Sequence, residues 1–319
     1  MHPDTARELK ARILDGLPTA AAAAAADTDA PWPWVAVGLT PAGEGRARVA
    51  VRLQRDADHA LLPDLGAAAS AELEVRVIGR VRALSSPAPD GLRRRVRPLR
   101  PGLSVAHPAV TAGTLGGFVR TVSGLAILSN NHVLAASDAA LLGDPALQPG
   151  PADGGVAEDR VATLAAFERF TAGAPNLVDA AVATLDPGID ADPGDLPGGP
   201  LTGPVPGALD IDPDEPVEKV GRTTGHTRGR ITAVEVDAVA VQYDEVVHRF
   251  DDQIEIEGLT GAFSAGGDSG SVIWRSRDRA PTALLFAGSA TGGSAGGGVT
   301  FANPLATVLR VLAAQWVTG

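Results

Sequence analysis

The chain has 319 residues, 45% of them hydrophobic, which excludes fibrous, collagen-like and mini-protein architectures and supplies side chains for two modest cores. A net charge of −11 repels phosphate backbones and excludes nucleic acid as a partner, and the absence of cysteine excludes disulfides, thiolate metal sites and a cysteine nucleophile. Glycine and proline together number 63, about a fifth of the chain, which is turn-rich but below the roughly 25–30% of low-complexity disorder. Only 12 residues are aromatic, so small and β-branched side chains must fill the interior, as they do where strands pack on strands.

The segment from Asp4 to Asp15 mixes acids, bases and apolar residues and predicts a short amphipathic helix; Ala20–Ala26 is too weakly apolar for a signal core and reads as a linker. Residues 1–30 are therefore an N-terminal helix and alanine-rich linker. No apolar run reaches 18 residues, so no membrane span is expected, and the expected compartment is the cytoplasm. After Trp32-Pro33-Trp34 the pattern turns to period two. Ala47–Leu53 alternates apolar residues with arginine and Leu73–Ile78 with mixed charges, predicting half-buried strands of a small domain over 31–100. The stretch Ser85–Gly91 and the run Arg93, Arg94, Arg95, Arg97 and Arg100 break the composition and set a boundary near residue 100. Those arginines read as a solvated linker paired with the acidic excess elsewhere, in preference to a dock for an acidic partner.

From residue 101 apolar runs of 5 to 9 residues recur between Gly, Pro, Asn and Asp clusters, and helical periodicity returns only over Leu305–Trp316, so a β-barrel pattern with a closing helix is predicted. The connection from Asp186 to Pro216 is crowded with Asp, Gly and Pro. It lacks the glycine and terminal glutamate of a calcium hand and reads as a flexible acidic surface loop. No repeat at a period of 20–50 residues is present.

Three segments carry chemistry. Gly124–Ala135 is an apolar strand that ends in polar residues and delivers His132 at its tip, where packing can hold an imidazole with one nitrogen free. Leu177–Ala183 sets Asp179 among apolar residues, where a buried carboxylate needs a donor such as a histidine N–H. Asp186 beside a Pro-Gly turn and Asp159 beside Arg160 are alternative carboxylates with less apolar flanks. Ala265–Trp274 is a tight glycine-rich turn entering a strand. It carries Ser269, and its curl can aim the amides of Gly267 and Ser269 into one space. The order is His132, Asp179 after 47 residues and Ser269 after a further 90, against gaps of about 45 and about 93 in the chymotrypsin type of triad.

With these segments and with Ala112–Gly117, Asn176–Ala181, Gly221–Gly225 and Phe263–Gly270, residues 101–319 resemble a chymotrypsin-fold (trypsin-like) serine peptidase. More narrowly they resemble the cysteine-free bacterial relatives of the plant narrow-leaf type. The resemblance implies a mainly β fold: two six-stranded β-barrels of the chymotrypsin type with a C-terminal helix, preceded by a small α/β N-terminal domain. It implies His132 as general base, Asp179 as its orienting carboxylate, Ser269 as nucleophile, and the Gly267 and Ser269 N–H groups as an oxyanion hole worth roughly 3–4 kcal/mol per donor. It calls for no metal and no organic cofactor. The substrate pocket would take Phe263 as its floor and the strand carrying Phe286 and Gly288 as its wall, which excludes a charged floor. Plain core packing is an equally good reading of Phe263. Secreted relatives pair the aspartate before the nucleophile with a freed amino terminus. Here that aspartate is Asp268, no activation site is evident, and another partner or a backbone donor is expected. His226 reads as a turn residue, and His107 and His248 show no partner pattern.

The function expected is a serine endopeptidase that hydrolyses peptide bonds through an acyl-enzyme, with a polypeptide substrate and with the homo-oligomeric state left open. The alternative is a catalytically dormant trypsin-like module that binds a peptide by strand addition or serves in assembly.

Overall fold

A computed structural model describes residues 1–18, 34–82, 91–203, 205–207 and 210–319. The Ala20–Ala26 linker, Trp32-Pro33 and the Ser85–Asp90 part of the composition break lie outside the described residues. Helix α1 (Pro3–Gly16) starts with a proline in its first turn and with the His2 imidazole accepting from the Asp4 N–H. Its buried residues Ala6, Leu9, Lys10 and Ile13 follow helical spacing and pack on strands β1 (Val35–Pro41) and β2 (Ala47–Leu53). Strand β3 (Leu73–Val77) runs parallel to β2, and β4 (Val81–Arg82) follows.

The first barrel comprises β5 (Ser104–Val105), β6 (Gly113–Thr114), β7 (Gly117–Thr121), β8 (Gly124–Ser129), β9 (Pro145–Leu147), β10 (Arg160–Phe167) and β11 (Ala181–Leu185). Its main sheet has the order β7-β8-β11-β10-β9, and bonds from Ala106 to Leu147 and from Gly116 to Leu128 close it through β5 and β6. The second comprises β12 (Pro216–Gly221), β13 (Gly225–Asp237), β14 (Val239–Tyr243), β15 (Val246–Phe250), β16 (Gln253–Gly258), β17 (Val272–Arg275), β18 (Pro281–Gly292) and β19 (Gly298–Pro304). Six of these close a ring, β12-β13-β16-β19-β18-β17 and back to β12, while β14 and β15 form a hairpin outside it. The small α/β unit joins the second barrel along the far half of the 13-residue β13, through Val37 opposite Asp237 and Leu39 opposite Val234. Strand β4 lies between β14 and β18, so the hairpin reaches the barrel through two residues of the N-terminal unit.

Two expectations need correction. Strand β2, expected to be half-buried, is buried almost throughout, because Arg52 points at the second barrel and pairs with Glu255 of β16 at 2.8 Å, both side chains being essentially inaccessible. The closing helix spans Leu305–Val311, shorter than predicted. Ala313 takes a positive φ of 48°, and Gln315–Trp316 becomes β20, which pairs with β7 of the first barrel. The arginine run pairs with acids: Arg93 with Asp153, Arg95 with Asp159, Arg100 with Asp195. The acidic connection carries Asp190, Asp192, Asp195, Asp210, Asp212 and Asp214 outward but buries Glu215, and it is pinned by buried Leu196 and Leu201 and by bonds between Leu99 and both Asp190 and Asp192.

Removing one member of a buried ion pair strands the other, at a cost of about 3–5 kcal/mol. Arg52→Ala is therefore expected to lower the urea midpoint by that equivalent, and Arg52→Met with Glu255→Leu to recover most of it. A midpoint unchanged in Arg52→Ala would show that the pair does not fasten the N-terminal unit to the barrel.

Candidate active site

Strand β8 ends at Ser129, and a single helical turn, Asn131–Leu134, carries His132. The two asparagines before it are both buried and both bonded. Asn130 Nδ2 donates to the Asp179 carbonyl at 2.6 Å, and Asn131 Nδ2 donates to Asp138 Oδ1 and to the Glu168 carbonyl at 2.6 Å each. Asp179 lies two residues before β11 and is wholly buried. Its Oδ1 accepts the His132 backbone N–H at 3.1 Å, and its Oδ2 lies 2.5 Å from His132 Nδ1. The imidazole is thereby gripped through main chain and ring by one carboxylate. The Asp179 N–H donates to Asn303 Oδ1 at 3.0 Å, and Asn303 Nδ2 to Gln253 Oε1 at 2.7 Å, which anchors the first barrel's aspartate to the second barrel.

Ser269 arrives from the second barrel in the turn before β17. Its carbonyl accepts the Thr114 N–H at 2.8 Å, and the next N–H, of Gly270, donates to Leu285. A side chain at Gly270, whose φ is +94°, would fall 2.1 Å from Ser129 Oγ and 2.3 Å from the Thr114 carbonyl, so only glycine lets the first barrel press this closely on the turn. His132 and Ser269 line one cleft of ≈ 350 Å³ with Ala112, Gln242, Tyr243 and Asp244. The Ser269 hydroxyl donates to the Phe286 carbonyl at 3.4 Å, and a rotation about χ1 separates that position from one aimed into the cleft.

Gly267 has φ +89°, and an added Cβ would lie 2.4 Å from Arg222 Nη1 and 2.6 Å from Thr223 Oγ1. The turn it occupies is tied down by Asp268, which is fully buried and surrounded by donors. Lys219 Nζ lies 3.2 Å from its Oδ2, the Thr223 and Thr224 N–H groups donate to Oδ1 at 2.7 and 3.1 Å, and the Thr224 hydroxyl and Ala265 N–H donate to Oδ2 at 2.7 and 3.1 Å. The expected alternative partner of Asp268 is thus an ammonium from β12. Burial pulls the Lys219 ammonium below its ordinary range while Asp268 opposes the shift. Beside it Arg222 makes a two-point pair with Asp153 of the first barrel, Nε to Oδ2 at 2.5 Å and Nη2 to Oδ1 at 2.6 Å. Burial would raise the Asp153 carboxyl, but hydrogen bonds from Arg222 and Ser104 and the charges of Arg222 and Arg93 together hold the group below the usual range.

The other named residues lie elsewhere. Phe263 is buried in the second-barrel core with the Lys219 ammonium 5.6 Å from its ring centre, and Phe286 is buried against Phe250. Gly288 lies opposite Arg82 of β4. None of the three contributes a side chain to the His132–Ser269 cleft, although the Phe286 carbonyl accepts from the Ser269 hydroxyl. Asp186 binds Arg160 at 2.7 Å and Asp159 binds Arg95 at 3.1 Å, so neither approaches the imidazole. His226 pairs with Glu218 at 2.6 Å next to the β12–β13 turn, and His107 faces Asp144 at 3.2 Å.

Two residues that pattern reading passed over are Lys219 and Tyr243. Lys219 is one of two lysines in the chain and interrupts an apolar strand, a signal that was available. Tyr243, the only tyrosine, donates its hydroxyl to Asp179 Oδ2 at 2.7 Å, with its ring 5.5 Å from that of His132. His248 packs edge-on to it; burial lowers that imidazole's pKa against the opposing charges of Asp138 and Asp179.

No family model and no curated protein sequence matches the chain. Among solved structures it is similar to a glutamic-acid-specific serine protease that uses a histidine triad in substrate binding, at TM-score 0.50 and 15% identity over 69% of this chain and 100% of that one. It is also similar to Thermobifida fusca protease A and to Cellulomonas bogoriensis chymotrypsin, each at TM-score 0.47, with 19% and 18% identity over 69% of this chain and 100% of theirs. The fold is that of the chymotrypsin-like serine proteases: mainly β, with a closed six-stranded barrel, few helices and a C-terminal helix.

Burial first, then the Asp179 charge and hydrogen bond, push the Tyr243 phenol well above its ordinary 10.0. A raised acid stabilises the fold fully below its unfolded value and loses that contribution as pH rises past it. Because no other tyrosine contributes, phenolate absorbance is expected to stay absent as pH passes 10 and to appear only together with loss of the native circular dichroism. Phenolate forming in the folded protein at its ordinary pH would contradict the buried contact.

Lys219→Met leaves the Asp268 carboxylate buried without its cation, and a loss of about 3–5 kcal/mol is expected from urea unfolding. Stability equal to the unsubstituted chain would show that the hydroxyl and N–H donors satisfy Asp268 without Lys219.

Proposed function

We propose that the protein is a serine endopeptidase that cleaves polypeptides through an acyl-enzyme. The observation that carries the reading is the double contact of Asp179 with His132 beside a cleft that also receives Ser269. Asp179 accepts the Nδ1 proton, which leaves Nε2 as the basic nitrogen. In this reading Nε2 takes the Ser269 proton as Oγ bonds to the scissile carbonyl carbon, and the oxygen that gains the negative charge is met by the N–H groups of Gly267 and Ser269. Collapse expels the amine with the proton carried by His132; water then repeats the sequence on the ester and restores Ser269.

Preorganisation supports the same reading. The turn that bears Gly267 is braced by Lys219 through Asp268 and abuts Arg222, both from the β12–β13 region of the same chain, so its shape does not call for a freed amino terminus. The narrower resemblance to the cysteine-free bacterial relatives of the plant narrow-leaf type rests on the sequence segments, and cytoplasmic action remains part of the proposal.

A fluorophosphonate probe is expected to label Ser269 in the unsubstituted chain and not in Ser269→Ala. His132→Ala should slow labelling by several orders of magnitude. In a peptide digest the double variant should lose little more than either single one, because the residues act as a unit. No labelling of the unsubstituted chain would favour the dormant peptide-binding module, and additive losses would remove the triad.

A further inference from the structure

We propose that Tyr243 is a positioning residue of this site: its phenol O–H holds Asp179 Oδ2 in the orientation that grips the His132 imidazole. The inference rests on the triad reading above and extends it to a fourth side chain.

Asp179 has no access to water, so its carboxylate depends wholly on protein donors. The His132 main-chain N–H occupies Oδ1, while Oδ2 takes His132 Nδ1–H at 2.5 Å and the Tyr243 O–H at 2.7 Å. Without the phenol, Oδ2 would have the imidazole as its sole donor, and the carboxylate plane could turn about the Cβ–Cγ bond, a broad and soft torsion. With it, both oxygens are fixed and part of the negative charge is drawn away from the ring. The phenol is itself immobile. Its ring is buried between Phe170 at 5.0 Å and Phe250 at 6.2 Å between centres, on a hairpin that Asn176 ties to the first barrel by donating its N–H to the Arg249 carbonyl and accepting the Asp251 N–H at its own carbonyl. The other ionisable groups facing the pair are His248 on β15 and Asp138 after the His132 turn.

Because Tyr243 acts through Asp179, its effect should vanish when Asp179 can no longer serve. The rate of fluorophosphonate labelling of Ser269 is compared in the unsubstituted chain, Tyr243→Phe, Asp179→Asn and the double variant. Tyr243→Phe is expected to slow labelling about 10- to 100-fold, the equivalent of one hydrogen bond to a charged group, with the final extent retained. Its acid limb of rate against pH should move upward, since the undiluted carboxylate charge favours the protonated ring. In the Asp179→Asn background the same substitution should change nothing. Equal labelling rates with and without the phenol overturn the inference, as does an equal fold-loss in both backgrounds, which would mark a packing effect. If Tyr243→Phe does not fold, biosynthetic replacement of tyrosine by 3-fluorotyrosine alters this one position, keeps the hydroxyl and makes it a stronger donor. An unaltered pH limb there also overturns the inference. Absence of labelling in the unsubstituted chain is a different failure, that of the triad itself.

Discussion

Asp179 is a carboxylate removed from water at the seam between two barrels, and a charge so placed persists only if donors surround it. The donors come from both sides. The first barrel contributes the main-chain and ring N–H groups of His132; the hairpin beyond the second contributes Tyr243, and Asn303 at the end of β19 fixes the aspartate's own backbone. The relative position of the barrels is therefore set partly by this one group. Ser269, which the second barrel carries, takes its place beside His132 as a consequence of that docking.

A second buried carboxylate performs the corresponding task for the turn that carries Ser269. Asp268 collects Lys219, Thr223, Thr224 and Ala265, while Arg222, next to Thr223 in the chain, reaches across to Asp153 of the opposite barrel. Buried ion pairs add little net stability compared with apolar packing, but a missing partner is severely penalised. Such pairs thus select one arrangement of the turn against its alternatives, which is the property a preformed set of backbone donors requires.

Much of this was legible along the chain because it depends on local pattern. His132 ends an apolar strand, Asp179 sits inside an apolar run, and glycine surrounds Ser269, so each announces its surroundings within ten residues. Alternation likewise located β2 and β3. The half-buried reading of β2 failed at Arg52 because period two distinguishes the faces of a strand without saying whether a second layer covers the outer one; here β16 does, and offers Glu255. The helix predicted to Trp316 stops early because that ring packs over Gly117, where an added Cβ would come within 2.3 Å of it. Tyr243 was unreadable for a related reason. Its contact is made across 64 residues of chain and depends on the placement of a hairpin that no local period encodes.

Strand β4 is two residues long, yet it is the rung by which the Tyr243 hairpin is hydrogen-bonded to β18 among the described strands. Ile78 before it and Val81 within it are buried, and Gln54 of the N-terminal unit clasps both the Val81 N–H and the Ala240 carbonyl of β14. The leading part of the chain is accordingly no detachable appendage. It is a splint across the two-barrel body, and slippage there would pass through the Arg82–Gln242 pairing to the neighbouring Tyr243 and so to the carboxylate that the imidazole leans on.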